Sequence, residues 1–191
     1  ILGLLLSLSC AEFCDVEVLF QDWMYMELLG FLWSQDRGLF ELAVLVLGNL
    51  ALNSERLAWL LVENGVVLRV VDLLDVFMDD VNVLENLTWA LSVISRSSNV
   101  VEVCNVIVDG MSSIIENGSS NSVHINILNI LINVSHCENS TISDERYLIL
   151  NWIMNFLFQD DSQKIYLSLR LLRNLLNYSV PVSTMLVNIE F

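Results

Sequence analysis

Apolar residues recur along the chain at helical spacing, and four of the apolar runs share one shape. The runs are ELAVLVLGNLALN from Glu41, ENLTWALSVISRS from Glu85, HINILNILINVSH from His124 and YLSLRLLRNLLNY from Tyr166. Because side chains three or four residues apart lie on one face of a helix, each run predicts a helix with a buried face. Aligned on the polar position before the last apolar pair, the runs place these residues at equivalent positions, 44, 40 and 41 residues apart: Asn49, Val93, Asn133 and Asn174. Ser7 fits as an earlier member, and a period near 42 residues is typical of helical repeat proteins.

A second pattern fills the segments between these runs. RLAWLLVENGVVLRVVDLLDV (56–76) and VEVCNVIVDGMSSIIENG (101–118) each read as a helix, a glycine break and another helix. Gly65 and Gly110 are predicted at helix termini, where φ turns positive. The equivalent stretches 17–34 and 147–161 carry Trp23 and Trp152 at the break instead. Each unit is therefore predicted to hold three helices: a short first, a second after the break, and a longer third.

Short polar linkers separate the predicted units. They lie at 34–38, 78–80, 117–121, 137–144 and 159–164, and none is long enough to divide the chain into independent domains. No amphipathic helix here buries its apolar face alone, so neighbouring units are expected to stack into one continuous core. The sequence predicts a single all-α domain over 1–191, a portion of a longer array.

Charge and hydropathy narrow the classes of partner. The chain has 23 acidic and 8 basic residues, a net charge of −15. This balance argues against nucleic-acid binding, which needs cations to neutralise phosphates, and against docking on an anionic membrane. Mean hydropathy is +0.62, too apolar for a disordered chain. Uncharged stretches reach only about 16 residues, short of the roughly 20 that span a bilayer. The expected partner is a protein or peptide, most naturally a basic one.

Residues with catalytic or metal-binding chemistry are few. The four cysteines are scattered at Cys10, Cys14, Cys104 and Cys137, and Cys10-x₃-Cys14 has no second ligand pair with zinc spacing. His136 and Cys137 are neighbours in sequence, which on a helix point apart. No phosphate-binding loop, dinucleotide fingerprint or nucleophile elbow is present. The sequence therefore predicts a non-enzymatic protein without metal or cofactor, with reduced thiols and an intracellular location.

Several motifs, in order and at the right spacing, resemble the armadillo repeat. They are ENGVVLRVVDLL at 63–74, LTWALSVIS at 87–95 and LVLGNLA at 45–51, and within the superfamily they look most like importin-α. The resemblance implies a right-handed superhelical solenoid of three-helix repeats. Its parts are the last helix of one repeat at 1–10, four full repeats at about 12–52, 54–97, 99–137 and 143–178, and the opening of another at 181–191.

The resemblance also implies a peptide-binding groove lined by the third helices. In importin-α-like proteins a Trp, and an Asn four residues later, receive an extended basic peptide. The Asn position is filled by Asn49, Asn133 and Asn174, but Val93 replaces it in the second full repeat. The Trp position is filled by Trp89 alone, with Leu45, Asn129 and Arg170 elsewhere. No repeat has both members, and a cation such as Arg170 repels a lysine-rich ligand.

Helical spacing groups these residues on shared faces. Asn126, Asn129 and Asn133 share one face, as do Asn86 with Trp89 and Arg170 with Asn174. Carboxamides on such a face are able to bond a peptide main chain, and the ring of Trp89 is suited to hold a lysine side chain. Acidic residues at the rims would steer a basic ligand: Glu41, Asp79, Asp80, Glu85, Asp160 and Asp161. The candidate peptide-binding residues are Asn49, Asn86, Trp89, Asn126, Asn129, Asn133, Arg170 and Asn174.

Each of these interpretations has a simpler rival. The asparagines would equally suit a solvated face, and Trp89 would equally suit the core. The pairs Asp79–Asp80 and Asp160–Asp161 precede third helices, where carboxylates complement the helix dipole.

Two functions are predicted from this sequence. The first is an importin-α-like nuclear import adaptor, in cytoplasm and nucleus, that binds extended basic localisation peptides. The alternative is an armadillo scaffold, such as an assembly or chaperone-cofactor subunit, that docks a folded protein; the missing Trp positions and Arg170 favour it. The apolar start, ILGLLLSLS, further suggests self-association through exposed ends of the array.

Overall fold

The computed structural model describes residues 3, 22–117, 120–135 and 145–178, and in these ranges the protein is all-helical, with no strand. The helices are α1 (Asp22–Phe31), α2 (Arg37–Asn53), α3 (Glu55–Glu63), α4 (Val66–Val76), α5 (Val81–Ile94), a 3₁₀ helix (Ser98–Val103), α6 (Cys104–Asn117), α7 (Asn121–Val134), α8 (Glu145–Leu157) and α9 (Ser162–Tyr178). The predicted all-α class is confirmed. The predictions that concern Ser7, Cys10, Cys14, His136, Cys137 and the end segments 1–10 and 181–191 lie outside the described residues.

The helices pack in sequence order as two sets. The long helices α2, α5, α7 and α9, here called the third helices, pack each against the next. Behind them α4 packs on α6 and α6 on α8, while α3 packs on the 3₁₀ helix. Each of these contacts joins a helix to its counterpart about one sequence period later. Leucine, isoleucine and valine side chains from both sets form one continuous core cluster.

A side-chain cap begins every third helix at the same place in the repeat. The backbone N–H of Leu39 donates to Asp36 Oδ1 at 3.1 Å, and that of Val83 to Asp80 Oδ1 at 3.3 Å. Val123 N–H donates to Ser120 Oγ at 3.3 Å, and Lys164 N–H to Asp161 Oδ1 at 3.1 Å. These caps satisfy backbone donors that an N-terminal turn leaves without intrahelical partners. Asp80 and Asp161 of the acid pairs thus cap these N-termini, a position in which a carboxylate also complements the helix dipole.

The caps establish the register of the repeat. Each lies thirteen residues before one of the aligned positions Asn49, Val93, Asn133 and Asn174. The four residues therefore occupy the same turn of four equivalent helices, as their alignment predicts.

The predicted helix breaks are only partly correct. Gly65 has φ +74° and separates α3 from α4, as expected. Gly110 does not end a helix: α6 runs through it, and a Cβ built there would lie 2.7 Å from Val71 Cγ1. The prediction for Gly110 was wrong because the small residue serves the close approach of α6 to α4. Trp152 likewise lies inside the uninterrupted helix α8, so no break occurs there.

One described stretch, Ser98–Ile115, is by length and composition just apolar enough to cross a membrane, with a mean hydropathy of 1.2. It changes from 3₁₀ to α geometry at Cys104 and contains Glu102 and Asp109. Ile107 and Met111 within it are fully buried in the core. It packs against α4 and α8, and 39% of the stretch is buried in the described structure.

Candidate functional site

Two of the predicted ligand-binding asparagines bridge neighbouring third helices. Asn133 Nδ2 on α7 donates to the carbonyl oxygen of Ser92 and to Ser95 Oγ on α5, both at 3.0 Å. Two turns earlier in α7, Asn126 Nδ2 donates to Thr88 Oγ1 at 3.1 Å and to the carbonyl oxygen of Glu85 at 3.4 Å. Both carboxamide nitrogens are therefore occupied within the protein. Each amide fastens α7 to α5 across the interface.

Asn174 makes the same kind of contact one unit later. Its Nδ2 donates to Ser135 Oγ at 3.0 Å, which joins α9 to the end of α7. The Asn174 side chain is buried, with 3% exposure. This burial contradicts its predicted role as an open peptide contact. Asn174 acts as an internal tie because its position on the helix faces the preceding third helix rather than solvent.

Val93, which interrupts the series of aligned asparagines, indicates how the aligned position contributes to packing between the third helices. Asn133 and Asn174 each pair with a serine two residues beyond the aligned position of the preceding helix, namely Ser95 and Ser135. At the α2–α5 interface the corresponding pair is Val93 and Ala51, and both are buried. The asparagine and its serine partner are thus replaced together by two apolar residues. A buried amide without its partner would cost more than an apolar pair, so the two positions vary jointly.

Trp89 packs on the preceding helix through a glycine. A Cβ built on Gly48 of α2 would lie 2.9 Å from Cη2 and 3.2 Å from Cε3 of the indole ring. The ring is half-buried and contacts the core cluster. Gly48 therefore makes room for Trp89 at the α2–α5 interface. The core interpretation holds for one face of the ring, while part of the ring remains open to solvent.

The remaining predicted residues differ in their surroundings. Asn129 Nδ2 donates to the carbonyl oxygen of Ile125 in its own helix at 3.0 Å, and its side chain is partly exposed. Asn49 accepts through its main-chain oxygen from Asn53 Nδ2 and is partly buried. Asn86 is partly exposed one turn before Trp89, and Arg170 is exposed on α9. Trp89, Asn86, Asn129 and Arg170 thus retain accessible surface on the third helices.

Several of the predicted rim acids are already bonded within the protein. Arg37 pairs with Glu41 in its own helix and with Asp80 of the next third helix, both at 2.6 Å. These bonds raise the pKa of Arg37, with the hydrogen bond to Glu41 as the largest cause. Glu85 Oε1 accepts from Ser120 Oγ at 2.7 Å. The acids near the third-helix N-termini therefore help to hold the helices together as well as carrying charge.

An aromatic cluster at the α7–α8–α9 junction was missed by sequence reasoning. His124 packs edge-on against Trp152 and tilted against Phe156, with centroids 5.7 and 5.3 Å apart. Lys164 Nζ lies 5.0 Å from the Phe156 ring centroid and 3.8 Å from Asp161. Burial, and secondly the charge of Lys164, lower the pKa of His124. Its Nδ1 is buried, and no described residue forms a hydrogen bond with it.

In the ranges that the structure covers, no three His, Cys, Asp or Glu side chains come together as a metal cluster. Cys104 is a buried free thiol. No protein-family model, curated protein or solved structure matches this chain.

Proposed function

We propose that this chain is an armadillo-like helical-repeat domain that binds a protein ligand across its third helices. The supporting observation is the set of hydrogen bonds between successive third helices, which join residues 38 to 41 positions apart. Stacked repeats of this kind present an extended, nearly rigid surface, and such surfaces serve mainly in recognition. The domain does not act as an enzyme in this proposal.

The arrangement favours docking of a folded protein surface over binding of an extended peptide by a row of asparagine side chains. Asn126, Asn133 and Asn174 spend their donors between helices, which leaves fewer carboxamides to bond an extended main chain. Exposed Arg170 adds a cation to the same surface. Acids near the N-termini of the third helices, together with Arg170 in α9, call for a partner that carries both signs of charge.

The narrower candidate, a nuclear import adaptor for basic peptides, is supported by Trp89. Its ring keeps an open part next to Asn86 on the third-helix surface, and the net charge of −15 favours a cationic ligand. An aromatic face of this kind stabilises a lysine or arginine head by about 0.5–2 kcal/mol. In this version the protein works in cytoplasm and nucleus.

The experiment is a selection from a random peptide library displayed on phage, with the folded chain as bait. Trp89→Phe and Trp89→Ser are compared with Trp59→Ser, a matched control because Trp59 is also partly exposed but lies on α3. We expect enriched peptides that lose affinity in the Trp89 variants and keep it in the control. If no peptide is enriched, or if enrichment depends equally on Trp59, third-helix recognition is wrong.

Fluorescence anisotropy with a labelled lysine-rich peptide separates the two versions. An import adaptor should bind it at low ionic strength and lose affinity steeply as salt screens the charges. A scaffold for a folded partner should show no saturable binding. Sedimentation of the chain alone tests the proposed self-association through its ends.

A further inference from the structure

A recess at the C-terminal ends of α5 and α7 is separate from the Trp89 surface. It is open to solvent and has a volume of about 370 Å³. Its walls are formed by Ser95, Arg96, Ser97, Ser98, Val100, Val101 and Asn133. A volume of this size accommodates a side chain or a small ligand group.

Most hydrogen-bonding groups in the recess are already used within the protein. The hydroxyls of Ser95 and Ser97 already donate, to the Ser92 carbonyl oxygen and to Asn99 Oδ1. Both N–H groups of Asn133 are also used, and no described residue donates to its Oδ1, which is able to accept from a ligand. Ser98 is exposed.

Arg96 supplies the charge of the recess. It is exposed, and no carboxylate among the described residues forms an ion pair with it. Its guanidinium therefore lies at the wall of the recess without a carboxylate partner from the described residues. Arg37, by contrast, bonds two carboxylates.

We propose that this recess binds a carboxylate side chain of the protein ligand. The Arg96 guanidinium pairs with the carboxylate, and Asn133 Oδ1 accepts from the adjoining main-chain N–H. A single guanidinium matches a single carboxylate in a two-bond geometry. A doubly charged phosphate would leave one charge unpaired in the field of a strongly acidic protein. The inference rests on the proposed protein-binding function and adds an acidic residue to the ligand.

The test uses model compounds, so it does not depend on finding the natural ligand. N-acetyl-aspartate N-methylamide is titrated into the isotope-labelled chain and followed by amide NMR. N-acetyl-asparagine N-methylamide and inorganic phosphate are the comparison probes. We expect saturable shifts confined to residues 95–101 and the Asn133 side chain with the aspartate compound, and none with the asparagine compound. Arg96→Gln should weaken binding about tenfold or more, as expected for loss of a charge-assisted pair.

Arg173→Gln is the matched control, because it removes one exposed arginine of a third helix that does not line the recess. It should leave the titration unchanged. Equal shifts with the asparagine compound, retained binding in Arg96→Gln, or equally strong binding of phosphate would each overturn the carboxylate site. If the aspartate titration fails but peptide binding still depends on Trp89, only the carboxylate site is wrong. If both experiments fail, the proposed function is wrong as well.

Discussion

At the scale of single residues, the paired positions across the third helices decide how the interfaces are built. Asn133→Val alone leaves Ser95 Oγ without its donor in a buried interface. We expect a loss of about 1–2 kcal/mol in the free energy of unfolding, measured by urea denaturation. Adding Ser95→Ala should recover most of that loss, because the double variant recreates the natural Val93–Ala51 pair.

Asn129→Val is the control for this prediction. Its amide donates only within its own helix, to the Ile125 carbonyl oxygen. The same substitution there should change stability by less than about 0.5 kcal/mol. Equal losses at positions 129 and 133, or no recovery in the double variant, would contradict the pairing.

Gly110 permits a second residue-scale prediction. Gly110→Ala places a methyl group 2.7 Å from Val71 Cγ1, so the Val71 side chain or the two helices must shift. We expect a destabilisation of about 1–3 kcal/mol from overpacking. Gly30→Ala in α1, where a Cβ meets nothing within 4 Å, should be neutral or stabilising. Comparable losses in both variants would show that the contact with Val71 does not govern the effect.

Residue types revealed the repeat but not the direction in which its amides point. Equivalent positions were predictable because the apolar run and the aligned residue recur at nearly constant spacing. Asn133 and Asn174 lie at the edge of the buried face. There, a helix rotation of a few tens of degrees decides whether the side chain meets a neighbouring helix or solvent. Their serine partners carried a usable signal, since Ser95 and Ser135 lie 38 and 39 residues earlier, close to one period.

At the scale of helices, the caps are the main local determinants of where the third helices begin. Asp80 both caps α5 and pairs with Arg37 of α2. Asp80→Ala should cost about 1–2 kcal/mol by loss of the cap. Asp80→Asn keeps a capping oxygen and loses only a solvent-exposed ion pair, so it should cost less than about 1 kcal/mol. Thermal unfolding of the two variants measures the difference, and equal losses would assign the effect to the ion pair.

His124, at the junction of α7, α8 and α9, makes the stability of the fold depend on pH. Burial lowers the pKa of His124 in the folded chain, and Lys164 adds to the effect while Asp161 lies beside Lys164. An unfolded histidine titrates near about 6.5. As pH falls through that value the unfolded chain takes up a proton that the folded chain resists, so stability is lost from about pH 6.5 downward.

Urea midpoints at about pH 7.5 and about pH 5.5 measure this loss. His124→Phe should show a smaller decrease between the two conditions than the parent protein, because it keeps the aromatic packing without the titrating group. An identical decrease in both proteins would place the pH dependence elsewhere.

Helix boundaries were predictable where the backbone conformation required a particular residue. They were not predictable where packing between helices determined which residue was present. Gly65 marks a junction because its positive φ suits glycine. Gly110 looks the same in sequence, yet its small size serves the approach of α4, a contact between residues 39 positions apart. The 3₁₀ geometry of Ser98–Val103 also left no mark in the apolar pattern.

At the scale of the whole molecule, a stack of repeats predicts local rather than global unfolding. Gly48→Ala pushes against the Trp89 ring and so weakens the α2–α5 interface. If stability is a sum of repeat and nearest-neighbour contributions, amide hydrogen exchange should quicken in α2 and α5 and stay slow in α8 and α9. Mass spectrometry of peptides from each helix, with Gly30→Ala as the control, measures this directly. Uniform acceleration across all helices would instead show one cooperative bundle, and the armadillo-like proposal would then lose its physical basis.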